Sequence, residues 1–277
     1  LEALVKAPRG QVIIGYGILV GAGLVALAPL VGVLIMALGS PNEVGGKVTL
    51  GSLHFSNFRV VFDQAQLTSA LRTSLFISGM ATLLTVVLSI PAGYAFASFR
   101  FRFRSLLFVI VLAGLMLPNE SLIIPLFFDF RSNGISDSLW GVILVETALS
   151  LAFGSFWMRA FFRDAPTSLV DAARMDGANS FTILLRVLTP MAMPQILALA
   201  VLTFVWTWND LLVPLVLLSG GRHVTAPMSL AIFQGQHATN YTYLSAAALM
   251  TALPVIVVYA VLQRSFARGV MAGAIRE

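Results

Sequence analysis

Three apolar runs each carry a single acid: Glu120 within residues 105–128, Glu146 within 139–161 and Asp210 within about 190–218. A charged side chain at membrane depth costs on the order of 3 kcal/mol on insertion scales, so each must face protein or a cavity, or be neutralised. Their possible chemistry is acid–base work or acceptance of hydrogen bonds. No His or Cys accompanies them: the chain has no cysteine, and His54, His223 and His237 all fall outside the apolar runs. That excludes disulfides, thiolate or clustered-histidine metal sites and a thiol nucleophile. Asp210 follows Trp206, Trp208 and Asn209, a combination of ring face and polar groups that suits a sugar. The alternative is that both indoles pack in a helix bundle while Asn209 and Asp210 bond a neighbouring helix. Asn119 and Glu120 follow Pro118, and Pro125 comes five residues after Glu120. Proline removes an N–H and clashes with the preceding turn, so one reading is a discontinuous helix lining a path and the other a kinked helix whose Glu120 reaches Arg131 or Arg72.

The elements that must hold these residues are membrane helices. The 277 residues are 58% hydrophobic and 10% charged, against about 25% charged for a soluble domain. Runs 11–38, 73–99 and 238–263 contain no Asp, Glu, Lys or Arg, and each exceeds the ~20 residues a helix needs to cross the hydrocarbon. With the three acid-bearing runs they predict an all-α membrane protein of six transmembrane helices, about 11–38, 71–99, 105–128, 139–161, 190–218 and 238–263, forming one transmembrane domain over 1–277. The first run is too long for the roughly 7–15-residue core of a signal peptide and is expected to be retained.

Of the seventeen Lys and Arg residues, twelve fall on one side of this topology and five, Lys47, Arg59, Arg72, Arg131 and Arg222, on the other. The positive-inside rule then puts both termini, Arg100–Arg104 and the loop 162–189 in the cytoplasm, with a tail at 264–277. The net charge of +5 is spread over loops with no basic stripe, so no nucleic-acid partner is indicated. Outside, residues 39–70 have a loop-like composition with Pro41, Gly45, Gly46 and Gly51; His54–Phe58 is read either as a short docking element or as packing on the helix tops.

The loop 162–189 carries the clearest pattern. Pro166 suits a helix start, Thr167 and Ser168 are cap residues, and Asp171 is expected in the first turns of a short helix ending near Met175. Gly177 is positioned to close that helix in the left-handed conformation, and Asn179 or Ser180 to cap a second one running to Leu188 and Thr189, with Pro190 opening the fifth span. Ala172, Ala173, Gly177 and Ala178 leave a knob of little bulk, suited to a cleft on another protein or to packing beneath its own bundle.

The run Asp171-Ala172-Ala173, then Asp176-Gly177-Ala178 and an apolar helix to Pro190, resembles the coupling motif of ABC importer permeases. Pro118, Pro125, Phe161-Phe162-Arg163, Trp208-Asn209-Asp210 through Pro214, Ala252-Leu253-Pro254 and the tail Gln263–Ile275 extend the resemblance to the permeases of maltose-type carbohydrate importers, from about Gly15 to Arg276. Asp171 departs from the usual Glu by one methylene, which leaves a carboxylate still able to accept a charge-assisted hydrogen bond.

The resemblance implies a permease subunit, not an enzyme, that moves a sugar or sugar-like solute inward across a bacterial-type inner membrane. It implies a second related permease, two ATPase subunits or a dimeric ATPase, and an extracytoplasmic binding protein. The 167–188 loop would dock on the ATPase through Asp171, Ala172, Ala173, Arg174, Asp176, Gly177 and Ala178, and the tail would reach it through Arg268, Gly269 and Gly273. Asn119, Glu120, Trp208, Asn209 and Asp210 are the candidates for the translocation path. The chain lacks a Gly-Lys-Ser or Gly-Lys-Thr run, since Gly46-Lys47 precedes Val48; it is therefore expected to hold no cofactor or metal, with ATP and Mg on the partner ATPase. Few basic residues at membrane depth favour a neutral solute over a phosphate. The alternatives are a self-contained proton-coupled carrier and an intramembrane enzyme using Glu120, Glu146 or Asp210.

Overall fold

The computed structural model describes residues 9–40, 53–234 and 239–274, with the backbone alone for Arg9, Gly10, Asn119 and 264–274. Among these residues all named elements are helical, and the sole β-type pairing is the isolated bridge between Gln234 and Thr239. Lipid offers no partner for backbone N–H and C=O groups, so an apolar chain must bond them within each segment. Four helices are long and apolar enough to cross a membrane, and two bent helix pairs raise the number to six if each pair is one span.

The chain divides into two compact units. The first comprises the described parts of Leu1–Ala65 and Leu230–Met250. Its helix α1 (Arg9–Ala37) ends where Asn57, on α2 (Ser56–Gln64), donates from Nδ2 to the carbonyls of Ala37 and Gly39 at 2.9 and 3.0 Å. The last carbonyls of a helix have no partner within it, so this buried amide closes α1. Part of 39–70 is thus a helix, and the candidate docking run His54–Phe58 contains this structural anchor. Residues 41–52, with Pro41 and three glycines, lie outside the described residues.

The second unit, Gln66–Ser229 with Thr251–Glu277, is built on α3 (Leu67–Ser98) and α6 (Leu139–Arg163). Ser74, Ser78, Ala81, Thr85, Ser89 and Gly93 form a buried stripe of small residues on α3 at helical spacing. Against it stand Ser150, Gly154 and Met158 of α6, also buried. A Cβ on Gly93 would come within 2.6 Å of Met158 Cβ and 2.7 Å of the Arg159 backbone nitrogen, and one on Gly154 would collide with the Ser89 hydroxyl. Helices in lipid gain nothing from hiding apolar surface from one another, so such close backbone approach supplies the packing attraction that holds them. Arg159 ties the end of this contact: its Nε donates to the Phe96 carbonyl at 3.2 Å and its guanidinium lies 3.8 Å from the Phe108 ring centre.

Phe108 belongs to α4 (Arg104–Ala113), which passes through a 3-10 turn (Gly114–Met116) before the chain breaks at Leu117 and Pro118. Helix α5 (Asn119–Ser132) then leaves at 97°. The expected span 105–128 is therefore discontinuous, because Leu117, forced extended before a proline, has ψ 128°. The expected span 190–218 also differs. A helical stretch at Ser180–Met191 (α8) bends by 77° into α9 (Met193–Asn209), so Pro194 rather than Pro190 opens the long helix. Asp210 is extended and its Oδ1 accepts from Leu212 N at 2.9 Å, starting the separate short helix α10 (Leu212–Leu217).

Two further boundaries move. Helix α3 begins at Leu67, before residue 71, after a turn at Gln66 with φ +45°. The last helix, α12 (Tyr241–Ala274), runs unbroken past 263, so most of the expected tail is helical and Ile275–Glu277 lie outside the described residues. Between α10 and α12 lies the short helix α11 (Ala226–Leu230).

The α3–α6 contact predicts an asymmetry between two glycines on one helix. Gly93→Ala should destabilise the solubilised protein by about 1–3 kcal/mol through overpacking. Gly79→Ala, where nothing lies within 4 Å, should be neutral or slightly stabilising. Thermal unfolding in detergent reads both; equal shifts would contradict the contact.

Candidate functional site

Two regions of the second unit carry the candidate residues. The first is the segment between α6 and α9, where α7 (Thr167–Met175) is followed by α8. Gly177 has φ +81°, its N–H bonds to the Arg174 carbonyl at 2.9 Å, and the Ala178 N–H reaches back to Ala173 at 2.9 Å. These two bonds and the left-handed residue form the Schellman closure that glycine makes without steric cost. Asn179 then caps α8, its Oδ1 accepting from Thr182 N at 2.8 Å. Both features agree with the expectation. The start of α7 agrees in part: Pro166 stands at the cap position, as expected of a helix start, but Thr167 and Ser168 fall inside the helix with no side-chain cap at its end, and Asp171 lies beyond the first turn.

Asp171 is paired within the chain to Arg174, 3.3 Å away on the next turn, and both are well exposed. Such a pair contributes little to stability. Ala172, Asp176 and Gly177 are exposed as well, whereas Ala173 and Ala178 face inward. With Val170 they pack on a buried cluster that joins Tyr94 of α3, Met158 and Phe162 of α6, and Ile183, Leu184 and Leu188 of α8. Residues Ile183–Leu188 form π-type turns, which bury those three side chains while leaving Leu185 and Arg186 outward. The knob therefore has a fixed inner face and a free outer one. Its outer face is not polar throughout: Met175 is 88% exposed and Phe181 70%. The tail candidates Arg268, Gly269 and Gly273 fall on the helical backbone of α12, with side chains outside what is described.

The second region is a cavity of about 480 Å³ walled by the α4–α5 break, α6 and the end of α9. Glu120, Glu146, Asn209 and Asp210 all line it, so the break at Pro118 brings together acids that are 26 and 64 positions apart in sequence. Glu146 is buried and stands beside the Asp210 carboxyl and the Thr207 hydroxyl. Asn209 donates from Nδ2 to the Val205 carbonyl at 2.7 Å, which orients its amide. Asn119 sits at the first turn of α5, its side chain outside the described residues.

Trp208 is a correction. It faces the bundle, only 2% exposed, stacked on Phe204 at 5.6 Å with its indole N–H donating to the Thr251 carbonyl at 3.1 Å. Two residues on a helix lie some 200° apart, so Trp206 instead lines the cavity, with its ring edge-on to Phe153 at 4.9 Å. Trp206 was read in the same sugar-suited set but not among the path candidates, and Ser150 and Phe153 are lining residues that motif reading missed. Their register was available: Glu146, Leu149, Ser150 and Phe153 follow the i, i+3, i+4, i+7 rule for one helical face, and all line the cavity. No Lys, Arg or His lines it among the described residues.

Comparison with known proteins gives a consistent picture. The family model described as "Binding-protein-dependent transport system inner membrane component" matches residues 85–271, more than half of the chain. The trehalose transport system permease protein of Mycobacterium tuberculosis is 34% identical over 254 residues, 91% of this chain and 93% of that protein. The diacetylchitobiose uptake system permease protein of Streptomyces coelicolor is 29% identical over 279 residues, covering 99% and 92%. Among solved structures, a bacterial ABC transporter involved in the import of the acidic polysaccharide alginate superposes with a TM-score of 0.76 at 24% identity, over 94% of this chain and 99% of that one. At that identity the likeness is one of fold.

The knob geometry predicts a backbone effect without a clash, since nothing lies within 4 Å of a Cβ at Gly177. Gly177→Val should weaken the closure by about 1–2 kcal/mol from the left-handed conformation alone. Hydrogen exchange at the Ala178 amide should then accelerate roughly tenfold. Gly177→Asn should have a smaller effect, because Asn tolerates this region; equal protection in wild type and the Val variant would contradict the closure.

Proposed function

The chain belongs to the family of binding-protein-dependent transport system inner membrane components, and from that premise we propose how it works: as one of two permease chains of an ATP-driven importer that brings a neutral sugar or sugar-like solute into the cytoplasm, with the 167–178 knob seated in an ATPase subunit. In this family the chain is a transport subunit, and ATP hydrolysis belongs to a separate one. ATP and Mg accordingly sit on the partner. Sugar as the cargo is supported by the relatives, which carry trehalose and diacetylchitobiose systems in their names.

The observation that carries the docking claim is the two-faced knob. Its inner face is anchored to three helices by Val170, Ala173 and Ala178, while Met175 and Phe181 stand in the open on either side of a rigid glycine closure. Covering an apolar side chain of that size stabilises a contact by about 1.5–3 kcal/mol. Asp171 and Arg174 are free to exchange their mutual pair for partners on the ATPase. A close-packed cluster moves as a body rather than deforming. Displacement of the knob by ATPase closure is thereby passed to α3, α6 and α8, and through α6 to the wall that bears Glu146.

Each bent helix pair counts as one crossing in this reading, giving six spans in a single permease domain. The Lys and Arg distribution supports both termini and the knob on the cytoplasmic side, with the tail residues Arg268, Gly269 and Gly273 also reaching the ATPase. A second, related permease completes the pathway, and an extracytoplasmic binding protein delivers the solute to the cavity.

Affinity purification of this chain from its native membrane tests the assembly. A second multispan permease, a nucleotide-binding subunit and a solute-binding protein should co-purify, and the reconstituted complex should accumulate saccharide in an ATP-dependent manner. Recovery of the chain alone, with uptake that needs no ATP, would overturn the reading.

A further inference from the structure

The cavity wall contains an acceptor that the protein leaves bare. Glu146 is only 5% exposed, its Oε1 has no hydrogen-bond partner, and the residue lines the cavity. A buried acceptor without a donor is unfavourable unless something enters to supply one. Asp210 stands next to it, with one oxygen committed to the Leu212 N–H. Glu120, which is exposed, lines the same cavity. Asn209, also in the lining, already directs its amide to the backbone. Trp206, half exposed, presents a ring held edge-on by Phe153.

The chemistry of this set is one-sided. It offers three carboxyl groups, the Ser150 hydroxyl and an apolar ring face, and no cation among the described residues. A saccharide complements it with hydroxyl or ammonium donors and the C–H face of its ring, whereas a carboxylate or phosphate would meet three acids with nothing to neutralise it. We propose that this cavity is a solute-binding site of this chain, selecting neutral and amino-bearing saccharides through donors to Glu146 and Asp210 and excluding uronates and sugar phosphates. The inference rests on the sugar-import reading and adds to it a solute class and the residues that set it.

Equilibrium dialysis of the purified complex, without its binding protein, isolates the cavity from upstream selection. The labelled probes are trehalose, diacetylchitobiose, its doubly deacetylated form chitobiose at a pH where the amines are protonated, and digalacturonate. Chitobiose should bind at least threefold more tightly than diacetylchitobiose, and digalacturonate should not bind. Glu146→Gln, nearly isosteric, should weaken the bound saccharide at least tenfold in complexes that still co-elute with their partners. Glu120→Lys places a cation at this exposed lining position, where folding is not at stake, and should shift the preference at least tenfold toward digalacturonate.

Digalacturonate binding as tightly as the neutral sugars, or unchanged ratios in Glu120→Lys, would overturn the proposal, as would an assembled Glu146→Gln complex with wild-type affinity. ATP-dependent uptake of the same probes, with the binding protein restored, separates the two levels of the account. Uptake without any binding in dialysis removes the cavity proposal and leaves the importer; no uptake of any probe removes both.

Discussion

The close approach of α3 and α6 is the contact on which the rest of the second unit depends. It joins two long helices that lipid gives no hydrophobic reason to associate, and it exists because Gly93 and Gly154 let one backbone touch the other's side chains. One end of α6 carries Glu146 into the cavity; the other carries Met158 and Phe162 into the cluster that supports the knob. A single packed helix therefore connects the two candidate sites. Loosening its contact with α3 would uncouple them even if every polar residue stayed in place.

The two sites are built on opposite principles. The knob is a closed backbone motif, in which one left-handed glycine, two reaching amides and an asparagine cap turn the chain with side chains of little bulk. Its closure at Gly177 and Ala178 comes from backbone hydrogen bonds, which place no demand on the side chains of Ala172 and Ala173. The cavity comes from interruptions. Pro118 breaks one helix and Asp210 ends another, and the freed ends converge with Glu146 around a polar hollow. Irregular backbone at membrane depth is tolerated where it lines such a space.

Much of this was legible in the sequence because the signals were local. Apolar runs longer than a bilayer, the glycine at 177 and the cap at 179 act through their immediate neighbours, and the structure places them accordingly. What escaped was set by distant partners or by helical phase. Trp208 beside Asn209 and Asp210 reads as one polar cluster along the chain, yet the helix turns it into the bundle and brings Trp206 forward. The short helix α2, the start of α3 at Leu67 and the bend before Met193 depend on tertiary contacts and on which of two nearby prolines, Pro190 or Pro194, begins the long helix. The small-residue stripe was present at helical spacing, but its meaning required knowing that α6 would lie against it.

The central claim is that the outer face of the knob is covered by a nucleotide-binding subunit. The chain has no cysteine, so a photoreactive crosslinker attached at Ala172→Cys is unique in it. In the complex from the native membrane, the probe at position 172 should capture the nucleotide-binding subunit, and the same probe on the exposed Phe55→Cys should not. Capture of only lipid or of this chain itself at position 172, in a complex that hydrolyses ATP, would contradict the account.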